Sequence, residues 1–162
     1  MKVTDKHVLF WGSVFSNFER ASFIFEGKCF PTSEHFFMYR KAQFFGDKDT
    51  ANKILLTNDP REAKKLGRQV KNFNSEEWSA VCREYMKQAL RLKFSQNKDM
   101  REELLKYPNH CFVECSPYDK IWGIGIAEDD PRADNESEWL GTNWLGQCLN
   151  EVRDEFLNNS KN

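Results

Sequence analysis

The stretch "PTSEHFFMYRKAQFFGD", residues 31–47, sets a carboxylate, an imidazole and an amine among aromatic side chains. Helical periodicity begins at Thr32. At 100° per residue, Glu34 and Lys41 fall within about 20° of one line and are separated by roughly 10 Å of helix rise. Met38 lies between them. A carboxylate can give or take a proton and a neutral amine can attack carbon, so a ligand laid along this face would meet both. The same two residues also have a plainer explanation. Negative charge is favourable in the first turn of a helix, which accounts for Glu34, and Lys41 can simply be solvated. His35 points about 100° away from Glu34 and is expected to be structural.

A second group of candidates stands in "DKIWGIGI", residues 119–126. Gly123 and Gly125 would let backbone approach a ligand closely, and Trp122 offers a flat apolar face. The alternative is a buried tryptophan beside a turn. Asp119 suits either hydrogen bonding to sugar hydroxyls or the shaping of that turn. "GIGIA" is no dinucleotide fingerprint, because the third glycine and the following helix are absent. Trp78 opens a long helix, and its periodicity favours the core over a ligand platform. In "VFSNFE", Asn17 sits between two phenylalanines, which reads as a loop anchored by its aromatics and presenting an amide.

These residues need elements to hold them. "HVLF" and "ASFIFEGKCF" read as short strands, the second with a reversal at Gly27. Asp47 can cap "KDTANKILL". Asp59 followed by Pro60 starts "REAKKL", which Gly67 is expected to close. Asn74 or Ser75 opens the longest helix, whose buried face carries Trp78, Val81, Cys82, Tyr85 and Ala89. Asn97 is expected to cap "KDMREELLKY" and Pro108 to stop it; "HCFVEC" reads as a strand and "IWGIGIAEDDPRADNESEWLG" as a long loop. Leu145, Leu149, Val152 and Phe156 define a last helix, and the polar tail "LNNSKN" is expected to fray. The pattern is that of a helix-rich α+β fold with a small antiparallel sheet, in one domain spanning residues 1–162.

With 24 basic and 25 acidic residues, the net charge of −1 gives no support to indiscriminate grip on nucleic acid or an anionic membrane. A small local basic site remains open. The five cysteines form no CxxC pair, their number is odd, and the amino terminus lacks a signal-like apolar run. Free thiols and a cytoplasmic location are expected. Cys111 and Cys115 would share one strand face, but His7, His35 and His110 are too scattered to complete a zinc site, so no metal is expected. No stretch approaches 18 apolar residues, which argues against a membrane-spanning helix.

The order "FSNF", "FPTSEHFFMYRK", a tryptophan opening a helix that ends "ALRLKF", "DKIWGIG" and "WLGTNWLGQCLNEVR" resembles the NADAR family, also called YbiA-like proteins. Each block is weak alone, whereas five in this order are highly specific; the resemblance runs from about Phe10 to Phe156. It implies an α+β fold, no metal or other cofactor, and N-glycosidase activity. Some members of the family hydrolyse phosphoribosylated aminopyrimidine intermediates of riboflavin biosynthesis. Others remove ADP-ribose from guanine bases.

The substrate implied is a nucleotide-like small molecule or ADP-ribosylated nucleic acid. Residue by residue, the resemblance places the family's glutamate on Glu34, its helix lysine on Lys41, its helix-opening tryptophan on Trp78 and its aspartate before W-G on Asp119. The catalytic set it implies is Glu34, Lys41 and Asp119, with Asn17, Trp78, Trp122 and Gly123 binding substrate. Between Trp122 and Trp139, the acidic "AEDDPRADNESE" departs from the brief turn of the shortest members, which leaves open the base or leaving group read there. Two routes fit the implied chemistry. In one, Glu34, made less acidic by burial among Phe36 and Phe37, protonates the ring oxygen or leaving nitrogen and then activates water. In the other, Lys41, desolvated by Phe44 and Phe45, forms a Schiff base with the opened ribose. The competing class is a non-catalytic reader of ADP-ribose or a modified base.

Overall fold

The computed structural model describes residues 1–160. Lys161 and Asn162, the end of the tail expected to fray, lie outside the described residues, and the part before them is helical as far as Asn159. Two compact units can be told apart: Met1–Ser16 together with the chain from Asp99 onward, and Asn17–Lys98.

Within Asn17–Lys98, strands β3 (Phe23–Phe25) and β4 (Lys28–Phe30) form an antiparallel hairpin in which Phe23 faces Phe30. Glu26 and Gly27 both take positive φ, 49° and 77°. That conformation matches the twist of a two-residue hairpin. Four helices follow: α1 (Ser33–Phe44), α2 (Lys48–Leu56), α3 (Pro60–Arg68) and α4 (Ser75–Gln96). Their starts are written locally. The side chains of Thr32, Asp47, Asp59 and Asn74 each accept a hydrogen bond from a backbone N–H of the first turn, and Pro60 occupies a position where its missing donor costs nothing. Helix α1 packs against α2, α3 and α4, and Phe36 seats it on the hairpin, 5.6, 5.3 and 5.1 Å from the rings of Phe23, Phe25 and Phe30.

One expected stop is corrected. Gly67 does not close α3, which continues through Arg68. A Cβ at residue 67 would lie 1.9 Å from Met38 Sδ, so this glycine lets α3 approach α1 and has no part in ending the helix. Asn97 stands immediately before α5, and its amide donates to the carbonyls of Lys93 and Ser22, so it also finishes α4.

The other unit holds a three-stranded sheet. Strand β1 (Lys2–Val3) runs antiparallel to β2 (His7–Phe10), and β2 pairs in parallel with β5 (Cys111–Glu114). Helix α5 (Lys98–Leu105) leads towards β5, and α6 (Trp144–Asn159) packs on that strand. Gly146 makes the packing possible, since a Cβ there would fall 1.9 Å from the Phe112 carbonyl oxygen. Asn143, in the left-handed region with φ 54°, accepts from the Glu114 N–H and donates to the Phe112 carbonyl. The acidic segment is no plain loop. It contains 3-10 turns at Pro131–Asp134 and Glu136–Glu138, and Asp134 accepts from Thr4 at 2.6 Å and meets His7 Nδ1 at 2.7 Å.

The fold is thus helix-rich α+β with small sheets, two of the three strand pairings being antiparallel and the β2–β5 pairing parallel. All five cysteines are free thiols; Cys111 is exposed whereas Cys115, just past the strand, is buried. Among the described residues no helix is long and apolar enough to cross a membrane.

Candidate active site

Helix α1 begins in a dense set of hydrogen bonds. Thr32 Oγ1 accepts from the His35 N–H at 3.1 Å, while the Asn17 carbonyl accepts from the Glu34 N–H at 3.1 Å and the Asn17 side-chain oxygen accepts from Ser33 Oγ at 2.8 Å. The Asn17 amide also lies 3.6 Å from Met86 Sδ on α4. Its polar groups are therefore engaged by the protein itself, and Asn17 fixes the start of α1.

His35 is structural, as expected. Its Nε2 donates to the Thr57 carbonyl at 2.9 Å, and Nδ1 takes the Thr32 hydroxyl at 2.7 Å. Burial lowers its basicity, the bond to Thr57 opposing, and the neutral ring is the form these two contacts fit.

Glu34 occupies the second position of α1 and is 7% exposed. Lys41 is half-buried. Burial pushes its amine below the ordinary lysine range; the Glu34 carboxylate pulls it back up, and the Arg68 guanidinium lowers it further. Glu34 is thus among the charges that act on the Lys41 amine. The ring over the Lys41 amine is not the expected one. Phe73 lies there, 4.5 Å from Nζ to the ring centre, while Phe44 turns to Trp78 and Tyr85, and Phe45 buttresses Phe73 at 5.4 Å. Phe36 likewise faces the hairpin, leaving Phe37, 5.4 Å from Trp78, as the aromatic neighbour on this side of α1.

Trp78 is 9% exposed, and its indole stacks on Tyr85 at 5.7 Å and 18°. It belongs to the aromatic wall between α1 and α4. That position suits keeping water out better than stacking on an open base.

Asp119, Trp122 and Gly123 belong to the other unit, where they build one turn. Asp119 Oδ1 accepts from the N–H groups of Ile121 and Trp122, both at 2.9 Å, which is the turn-shaping arrangement. Trp122 is half-buried and meets Trp144 edge-on at 5.7 Å. The close approach that Gly123 allows is to the chain itself: a Cβ there would lie 2.9 Å from the Glu114 carbonyl oxygen and 3.0 Å from that of Asp119.

Phe73 and Arg68 were not among the residues singled out from sequence. Phe73 carried a signal, since an apolar residue just before a capping asparagine commonly folds back on the structure next to the helix. Arg68 carried none beyond the preference of a helix C-terminus for a cation.

The profile of the NADAR domain matches residues 9–157. The chain belongs to the NADAR family. Its relatives within and around that family include protein irg-1 of Caenorhabditis elegans, 43% identical over 78% of this chain; the chain spans 61% of that relative's length. The N-glycosidase R617 of Acanthamoeba polyphaga mimivirus is 36% identical over 94% of this chain and 97% of its own. The N-glycosidase YbiA of Escherichia coli strain K12 is 33% identical over 88% of this chain and 80% of its own. The NMR structure of E. coli YbiA superposes with a TM-score of 0.79 at 29% identity, covering 98% of this chain and 89% of that one. A NADAR fold is thereby established across both units.

Proposed function

We propose that the chain is an N-glycosidase that hydrolyses the bond between ribose C1 and a nitrogen, with the reaction centred on Glu34 and Lys41. The observation that carries this reading is the buried carboxylate coupled to an amine of lowered basicity on one face of α1. The names of the relatives R617 and YbiA support the reaction class. The substrates are ADP-ribosylated guanine or phosphoribosylated aminopyrimidine intermediates of riboflavin biosynthesis, and the family domain, running through both units, acts as one functional domain.

Two routes share these residues. In the first, Glu34 gives its proton to the departing nitrogen as the C1–N pair leaves with the base; the carboxylate then takes a proton from water as the oxygen bonds to C1. In the second, Glu34 protonates the ring oxygen as its bond to C1 breaks and C1 becomes doubly bonded to the base nitrogen; the Lys41 amine adds to C1, its surplus proton passes through the Glu34 carboxylate to the base nitrogen as the base departs, and water hydrolyses the remaining C1=N bond to return aldehyde and amine. An amine already shifted towards neutrality favours the second. Phe73, Phe37 and Trp78 make the surroundings apolar, which strengthens the charge interactions within them. Asn17 holds the Glu34 backbone, and Thr32 caps the same helix start through the His35 N–H.

The test is incubation with each substrate class, following free base, ribose 5-phosphate and ADP-ribose by mass spectrometry. Release of base with one of the two sugars is expected. Tight binding without release from either class would favour the reader over the hydrolase.

A further inference from the structure

We propose that Arg68 holds the 5′-phosphate of the bound ribose; this rests on reading Glu34 and Lys41 as the ribose site. Arg68 is the last residue of α3, and the chain on either side of it is tied to the Glu34–Lys41 face. On one side Gly67 is pressed against Met38, which lies between Glu34 and Lys41 on α1. On the other, Asn72 with φ 64° turns the chain so that Phe73 covers the Lys41 amine. The short connection between them is pinned by Asp47, whose carboxylate accepts from the Lys71 N–H at 2.9 Å while also capping α2. The place of Arg68 is therefore set at two close contacts and an anchored turn.

Its charge has no internal use. Arg61 pairs with Asp59, Arg132 with Asp130 and Arg153 with Asp154, whereas the guanidinium of Arg68 makes no hydrogen bond or ion pair among the described residues and is exposed. Its charge also lowers the basicity of Lys41, another cation. A helix C-terminus favours a positive charge, and Lys65 in the same turn already supplies one. The dipole gives no reason for the second charge to stand within reach of an amine. An anion does. Both proposed substrate types carry phosphate on the 5′ carbon of the ribose whose C1 reacts, and the planar fork of arginine matches phosphate oxygens in pairs. Bound phosphate would also balance the two cations, and a sugar held at both ends presents C1 in one orientation.

The test is calorimetric titration with ribose 5-phosphate and with ribose, using wild type, Arg68→Ala and Arg68→Lys, alongside circular dichroism and turnover by Glu34→Gln. Wild type is expected to bind ribose 5-phosphate at least tenfold more tightly than ribose. Arg68→Ala should lower affinity for ribose 5-phosphate about 10- to 100-fold, the range of a lost charge-assisted contact, and leave ribose within twofold. Arg68→Lys should fall between. Unchanged ribose 5-phosphate affinity in folded Arg68→Ala, or no preference of wild type for the phosphorylated sugar, would overturn the assignment. The parent reading fails separately, through persistent turnover in Glu34→Gln, and a loss of phosphate affinity in Arg68→Ala would still stand.

Discussion

Lys41 decides between the two routes at the scale of single residues. Its lowered basicity means that the neutral, nucleophilic form gains population at a lower pH than in an ordinary lysine. Borohydride added during turnover should therefore link the substrate's sugar to Lys41, with a yield that rises with pH as the amine loses its proton. Peptide mapping would locate the adduct. Lys93 on α4 also has its pKa lowered, to about 7 by burial with Glu19 opposing, but it is fully buried and out of reach of the sugar. An adduct confined to Lys41 supports the Schiff base. No adduct at Lys41, together with substantial activity in Lys41→Met, would leave Glu34 and activated water as the mechanism.

At the scale of elements, the approach of α3 to α1 at Gly67 positions Arg68 and Phe73. Gly67→Ala would drive a methyl into Met38 and should cost about 1–3 kcal/mol, the usual range for overpacking. Chemical denaturation would measure it. Met38→Ala in the same chain should recover most of the loss, whereas no loss in Gly67→Ala alone would mean that the helices separate freely. This contact also marks how far the sequence could be read. Asp47, Asp59 with Pro60, and Asn74 act through neighbours one to three residues away, so their caps were legible. Seven-residue spacing likewise placed Glu34 and Lys41 on one face. Gly67 misled because a glycine near a helix end has the same local signature whether it stops the helix or admits a neighbour. The ring over Lys41 depended on a turn at Asn72, and the parallel β2–β5 pairing joins residues about 100 apart, so neither was encoded in a local pattern.

For the molecule as a whole, the net charge of −1 leaves no broad cationic field to gather a polyanion. In the proposed site, selection would then fall to contacts at the ribose and its phosphate, for which a carboxylate, an amine and a guanidinium stand within one unit of the fold. Membership of the NADAR family fits a chain whose described residues form this helical unit and a second one built on β2, β5 and α6. The most direct measurement of the central claim is turnover by Glu34→Gln, with sugar release followed by mass spectrometry and fold and sugar binding checked in the same preparation. The substitution removes a transferable proton and little volume, so release should fall by roughly 100-fold or more while the protein stays folded and binds ribose 5-phosphate. Turnover within about threefold of wild type would contradict the placing of the chemistry at Glu34.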